Sequence, residues 1–391
     1  MTVVLVLGAA AGVTYLFTRD EIAGPEPVVA SPTAAGTASA TPPPTRIPTP
    51  APTALLSPGA AATPTFPPPS SDAGRGVGEI RSVTFDACSS EAACGHVAAD
   101  ETWVVLGRFR PSPAIEAVNV ETGARVSVPI ARAPGSLHVR DGVVVYFTAT
   151  GPEGGVDETW IVWRLDLGRA GSAPVKLDEF DAVIFGGGDT LNPWPDPKTN
   201  GRDVVWLRVI EDGRAYEVVV SRGDALPTVL ETTAEHTFYA IDGLGRIATT
   251  TAAGEGEVSL RVYPAQSGTH LELGRRDARN GGLVDWAGER VVWFEGYGVV
   301  RPPVRADLFD PATGNGAPFD PPAGCTLFFG TTIRHLLVSC LDGVVNAHDL
   351  KTGGILRLAP VVRAFPRALL MRSTAEFNAG EGAWLHAPVL P

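Results

Sequence analysis

Beyond residue 72 the chain carries short apolar runs rich in Val, Trp, Tyr and Phe, set between clusters of Gly, Asp and Pro, and no long stretch keeps a 3.6-residue apolar period. This pattern predicts an all-β chain. Several runs are continuous, as in Val143-Val144-Val145-Tyr146-Phe147, Val204-Val205-Trp206-Leu207 and Val291-Val292-Trp293-Phe294, which marks strands buried on both faces. Each run is followed by a strand that ends in a Gly turn, and then by another short strand. The turn glycines are Gly123, Gly171, Gly223, Gly268, Gly314 and Gly353, so the units repeat every 39 to 52 residues with a mean of 46. A period of that length, built from about four short strands, is the mark of a β-propeller blade.

Six units are complete, whereas the 319 residues after position 72 have room for about seven. The expected architecture is a seven-bladed propeller, with six or eight blades as the alternatives. The seventh blade must then be shared between the two ends of the domain. Arg367 to Arg372 and Gly382 to Val389 supply strands there but no outer one, and Ile80 to Phe85 stands alone ahead of the first blade. We expect Ile80 to Phe85 to close the ring by pairing beside Ala383 to Ala387, which hides the edges that an open array exposes.

Blocks such as Asn200-Gly201-Arg202-Asp203-Val204-Val205-Trp206 and Ala287-Gly288-Glu289-Arg290-Val291-Val292-Trp293, each leading to a strand and a Gly turn, resemble TolB-type and related bacterial WD-like propeller repeats. The pairing of Arg140-Asp141-Gly142-Val143 with the downstream Asp166-Leu167 comes nearest to that pattern. The fourth unit departs from it, because Gly245-Arg246-Ile247-Ala248 lacks the aromatic residue. The resemblance covers about residues 97 to 391. It implies the fold and leaves the function open, since such repeats serve scaffolds, sensors and hydrolase domains alike.

Ahead of the propeller, Thr2 to Phe17 holds 16 uncharged residues, about 24 Å of helix, and reads as a membrane anchor or signal segment over residues 1–19. An upstream start, with a cytoplasmic part ahead of Met1, is the other expectation at this end. Residues 20–78 read as a disordered stalk. Between Gly24 and Asp72 there are 14 Pro and 13 Ser or Thr among 49 residues, a composition that builds an extended spacer and no core. Residues 79–391 are the propeller. The expected location is membrane-anchored with the propeller outside the cytoplasm, at the cell surface or in the periplasm, or secreted if the segment is cleaved.

The net charge of −12 argues against nucleic acid and against an anionic lipid surface as partners of the folded part. The four cysteines form two close pairs, Cys88 with Cys94 and Cys325 with Cys340, which predicts two disulfides in an oxidising compartment. A hairpin turning at or just beyond Thr331 and Thr332 pairs positions whose numbers sum to 665, as those of Cys325 and Cys340 do. No metal or cofactor is expected, because the histidines show no ligand spacing, and the oxygens of Asp189, Asn192, Asp196 and Asn200 fit no EF-hand loop.

The sequence holds no G-x-S-x-G and no H-E-x-x-H motif, and the acid pairs Glu231 with Glu235 and Asp307 with Asp310 read as solvated side chains. Long loops are the better guide to a binding surface. Thr150 to Glu158 should join the second and third strands of blade 2, and Gly186 to Gly201 the first two of blade 3. The latter holds Trp194 in a Pro-rich stretch, a candidate contact for a sugar ring or a protein. Tyr297 and Arg301, in the loop from Glu295 to Pro303, are candidates on the same ring face as Thr150 to Glu158. The expected function is a binding or scaffold module at the cell envelope, its partner a protein or an envelope glycan. The rivals are the sensor domain of a regulator with a truncated start, and an extracellular hydrolase with carboxylates or a Ser and His converging on the channel mouth.

Overall fold

A computed structural model describes residues 76–85, 94–150, 159–181 without 170, 195–210, 215–234, 237–295 without 255, 267 and 278–281, 305–340, 345–372 without 359 and 360, and 382–390. The expected anchor over Thr2 to Phe17, the stalk up to residue 75, Cys88, Trp194, Tyr297 and Arg301 lie outside these residues, whereas 76–78, read as the end of the stalk, are held on the propeller, with Val77 bridging Val389 and the Gly78 N–H donating to the Pro388 carbonyl. Among the described residues no helix is long and apolar enough to cross a membrane.

In chain order β1 (Arg81–Phe85) comes first, followed by the blade of β2 (Cys94–Ala99), β3 (Trp103–Arg108), β4 (Ala114–Asn119) and β5 (Arg125–Pro129). The second blade is β6 (Pro134–Arg140), β7 (Val143–Thr150), β8 (Thr159–Asp166) and β9 (Val175–Asp181); the third is β10 (Lys198–Thr199), β11 (Val204–Ile210), β12 (Ala215–Ser221) and β13 (Thr228–Thr233). The fourth is β14 (Phe238–Ile241), β15 (Ile247–Gly254), β16 (Glu257–Tyr263) and β17 (Leu271–Asp277); the fifth is β18 (Val284–Ala287), β19 (Arg290–Glu295), β20 (Arg305–Phe309) and β21 (Gly316–Phe319). The sixth is β22 (Cys325–Thr331), β23 (His335–Cys340), β24 (Val345–Asp349) and β25 (Ile355–Leu358). Last come β26 (Val361–Phe365), β27 (Ala368–Arg372) and β28 (Gly382–Pro388), and their sheet takes β1 as its fourth strand.

Seven four-stranded antiparallel sheets result, so the chain folds as a seven-bladed β-propeller. Arg81 pairs with His386 and Phe85 with Gly382, the closure expected from the orphan strand. The hydrophobic cores close the same circle. Val83 and Phe85 of the last blade pack with Val97, Val104 and Leu106 of the first. Five further cores join blades 1 to 2, 2 to 3, 4 to 5, 5 to 6 and 6 to 7, and one large cluster joins Trp160 of blade 2 to blades 3 and 4. The second strands sit deepest, since both of their faces are covered. In β7, Val143 to Phe147 are all buried, and in β11, Val204 to Leu207 are all within 1% exposure.

The inner strand of each blade leaves one edge unpaired toward the axis, and side chains from neighbouring blades cap its polar groups. His138 Nδ1 accepts the Thr199 N–H at 3.2 Å, and Lys198 Nζ donates to the Tyr239 carbonyl at 2.8 Å. Trp286 Nε1 donates to the Ala240 carbonyl, and Thr331 Oγ1 to the Trp286 carbonyl at 2.9 Å. Blades 2 through 6 are thereby linked around the axis by one hydrogen bond after another.

One boundary differs from expectation. The segment from Gly186 to Gly201 does not join the first two strands of blade 3, because the first strand of that blade is the two-residue β10, near the end of the segment. Most of the segment is the connection from blade 2 to blade 3. The cause is local: Asp196 takes a φ of +35°, outside the extended range of a strand, so regular pairing begins only after it, although the Pro195 carbonyl still accepts the Leu207 N–H at 3.1 Å.

Cys325 and Cys340 are cross-strand partners of β22 and β23 and form a disulfide with their Cα atoms 4.0 Å apart. The pairing of Cys88 with Cys94 falls outside the described residues. The bond closes a loop with a sequence separation of 15, so replacing both cysteines by alanine should cost about 3 kcal/mol. Chemical denaturation of the oxidised and doubly substituted proteins measures the difference; equal midpoints would contradict it.

Candidate binding face

Antiparallel blades send their turns to two opposite ends. First-to-second and third-to-fourth strand turns leave on one face of the ring, and second-to-third loops and blade-to-blade connections on the other. Thr150 ends the second strand of blade 2 and Thr159 begins its third, as expected for the loop from Thr150 to Glu158; residues 151–158, Trp194, Tyr297 and Arg301 lie outside the described residues. The turns of the first face are described but for residues 170 and 267.

Its turns are made by short polar side chains that cap the backbone. Asp100 Oδ1 accepts the N–H groups of Thr102 and Trp103, Asn200 Oδ1 those of Arg202 and Asp203, Asp242 Oδ1 those of Leu244 and Arg246, and Thr332 Oγ1 those of Arg334 and His335. The same device recurs at the Gly turns, where Asn119, Asp166, Asp310 and Asp349 accept from residues two or three further on. These residues sit in turns because their side chains satisfy N–H groups that the bend leaves open.

Charge is then arranged in pairs. Arg222 Nη1 lies 2.9 Å from Asp203 Oδ2, Arg246 Nε 2.6 Å from Asp242 Oδ2, and Arg334 Nε 2.6 Å from Asp349 Oδ2. At the axis, Arg367 of blade 7 pairs with Glu101 of blade 1 and stands 3.8 Å from Asp141 of blade 2. Arg140 is only 4% exposed, and its Nε has no hydrogen-bond partner, with Asp141 Oδ2 at 3.8 Å. Burial pushes its guanidinium below the usual range, and the adjacent Arg367 adds to this.

The void bounded by Arg140, Thr199, Asp285, Gly288 and Ile333 measures about 20 Å³, room for about one water. Beside it Asp285 accepts the Thr331 hydroxyl; burial raises its carboxyl above the ordinary range against the pull of Lys198. A much larger cleft of about 580 Å³ opens between blades 2, 3 and 4, lined by Asp141, Asn200, Arg202, Asp203, Arg222 and Gln266, with Leu244 and Ala265 as its apolar part. Its size is within the range of small-ligand sites. Among the described residues no group of His, Cys, Asp and Glu is placed to hold a metal ion.

Gly201 shapes the inner wall of the cleft. Its φ of +96° suits glycine alone, and a Cβ there would meet Asp141 Oδ2 at 2.7 Å. The Asp141 carboxylate therefore packs directly on the backbone of the next blade.

Buried histidines make the ring sensitive to acid. Burial, with Lys198 and Arg140 nearby, holds His138 down at about 3, and burial holds His335 at about 4; His386, His348 and His96 are lowered from the same cause. In the unfolded chain these groups take up protons near 6.5, while the folded ring keeps them neutral, so stability is intact above about pH 6.5 and falls as the pH drops toward 4. Each such histidine contributes a slope of up to about 1.4 kcal/mol per pH unit within that window. Thermal melts at pH 7.5, 6 and 5 should show a progressive fall in Tm, reduced in His138→Gln. A flat profile would contradict the neutral assignment.

No protein-family profile matches the sequence, and no curated protein does. Solved structures share the fold at low sequence identity. The β-propeller domain of the trilobed protease from Pyrococcus furiosus, a domain with an open velcro topology, superposes with a TM-score of 0.51 at 11% identity over 75% of this chain and 92% of that one. An oligogalacturonate lyase in complex with manganese gives a TM-score of 0.50 at 12% identity, over 81% and 97% of the two chains. A prolyl endopeptidase gives 0.49 at 14% identity, and the match spans 72% of this chain but only 44% of the peptidase. The likeness is one of architecture. Unlike the Pyrococcus domain as described, this ring is closed by strand pairing between its ends.

Proposed function

We propose that this chain is a binding module of the cell envelope, a closed propeller held outside the cytoplasm by its N-terminal segment and Pro-rich stalk. The observation that carries the reading is the polar cleft of about 580 Å³ on the turn face, with the Asp203–Arg222 ion pair in its wall. The carboxylates nearest the channel mouth are held likewise: Glu101 and Asp141 share the Arg367 guanidinium. The Cys325–Cys340 bond supports an oxidising compartment, and the resemblance of the repeats to TolB-type propellers supports an envelope role.

The test is a panel of envelope-type oligosaccharides and of peptides, presented to the purified full-length chain with binding and turnover followed in parallel. Saturable binding without product formation is expected. Turnover of any panel member would favour the hydrolase reading, and absence of binding across both panels would remove the proposal. Alkylation of intact cells, with and without prior reduction, reads the compartment: Cys325 and Cys340 should label only after reduction.

A further inference from the structure

Resting on the reading of a binding module, we infer that the cleft between blades 2, 3 and 4 takes a neutral oligosaccharide, with Arg202, Gln266 and Asp141 as its principal contacts. The ligand class follows from the balance of the lining. Arg202 and Arg222 are matched by Asp141 and Asp203, Gln266 offers a donor and an acceptor, and Asn200, whose oxygen is held by the Arg202 and Asp203 N–H groups, offers a donor. An anionic ligand would meet the two carboxylates, a cationic one the two guanidinium groups. A ligand whose every polar group both donates and accepts suits all of them, and the sugar hydroxyl is such a group.

Two observations sharpen this. Beside the cleft, the buried Nε of Arg140 stands without a hydrogen bond. Arg140 faces the cleft across Gly243, where a Cβ would sit 3.3 Å from its Nη2, and Gly243 lines the cleft itself. The walls, moreover, are turns throughout. They offer no free strand edge on which an extended peptide could add, and Leu244 and Ala265 form too small an apolar surface for a side-chain pocket but enough to cover one face of a sugar ring. Arg202, with 81% of its side chain exposed, reaches out from the cleft as a flexible outer contact.

The test titrates the full-length chain with cellopentaose, maltopentaose, chitopentaose and mannopentaose by calorimetry, beside oligogalacturonate, an acidic and a basic peptide as comparators. At least one neutral pentasaccharide should bind, with affinity falling by about tenfold or more in Arg202→Ala and in Gln266→Ala. Both residues are exposed, so the variants should keep the wild-type Tm. Asp141→Asn, which retains the left-handed turn, should weaken binding without a loss of fold. Binding of a comparator alone, or sugar binding unchanged in all three variants, would overturn the inference while leaving the binding-module reading intact. Silence of every probe and of the wider panels would end both.

Discussion

Replacing Val83 by Asp is expected to open the ring. Val83 lies in β1 at 3% exposure, pairs with Trp384, and packs in the core shared by blades 7 and 1 together with Phe85, Val97 and Leu370. An aspartate there has no cation among these neighbours, so its carboxylate is either desolvated at a cost of several kcal/mol or drags β1 out of the sheet. Against a total stability on the order of 10 kcal/mol, that loss removes most of the folded population at elevated temperature. An edge of β28 is then exposed, and association through it should appear as higher-order species in size-exclusion chromatography. Ser82→Asp serves as the control, because Ser82 is exposed on the opposite face of the same strand. If both variants melt alike, closure by β1 does not hold the ring together.

A comparable loss is expected for Trp206→Ala. Trp206 is fully buried in β11 among Val143, Val145, Val162 and Val219, where it joins blades 2 and 3. Its indole N–H donates to Asp178 Oδ2 at 2.9 Å, and the same oxygen accepts from Arg208 Nε and Nη2. Removing the ring costs about 3 to 5 kcal/mol from lost transfer energy and the cavity left behind. Trp206→Phe should recover most of the packing and lose only about 1 kcal/mol more than the repacking itself, the worth of one hydrogen bond. Urea denaturation of the two variants separates these contributions. Equal losses would place the stabilisation in the hydrogen bond rather than in the ring.

The repeat was legible because its punctuation is physical. Gly123, Gly171, Gly223, Gly314 and Gly353 all have φ between +59° and +73°, a region open to few other residues, so these five third-to-fourth strand turns call for a glycine at matching positions, whereas Gly268 of blade 4 has no positive φ. The Cys325 and Cys340 pairing was equally readable, since a hairpin fixes the sum of its partners. Blade 3 was misread at its start because a two-residue inner strand leaves no apolar run to find. Most of the cleft could not be seen either. Asp141, Asn200 and Asp203 were quoted in the repeat blocks, but a turn-forming Asp looks the same in sequence whether or not it borders a cavity. Arg367, Glu101 and Asp141 come from three blades and are brought together only by closure of the ring.

The partnership of β1 with β28 also has a consequence for biosynthesis. Arg81 and His386 are neighbours in the sheet although some 300 residues separate them on the chain. At a translation rate of roughly 5 to 20 residues per second, the first strand to leave the ribosome waits about 15 to 60 s for its partner. Throughout that interval six blades can assemble in order while the nascent molecule remains an open arc. A message truncated just before the codons for β28 would therefore yield a protein with nearly every residue and no means of completing the circle.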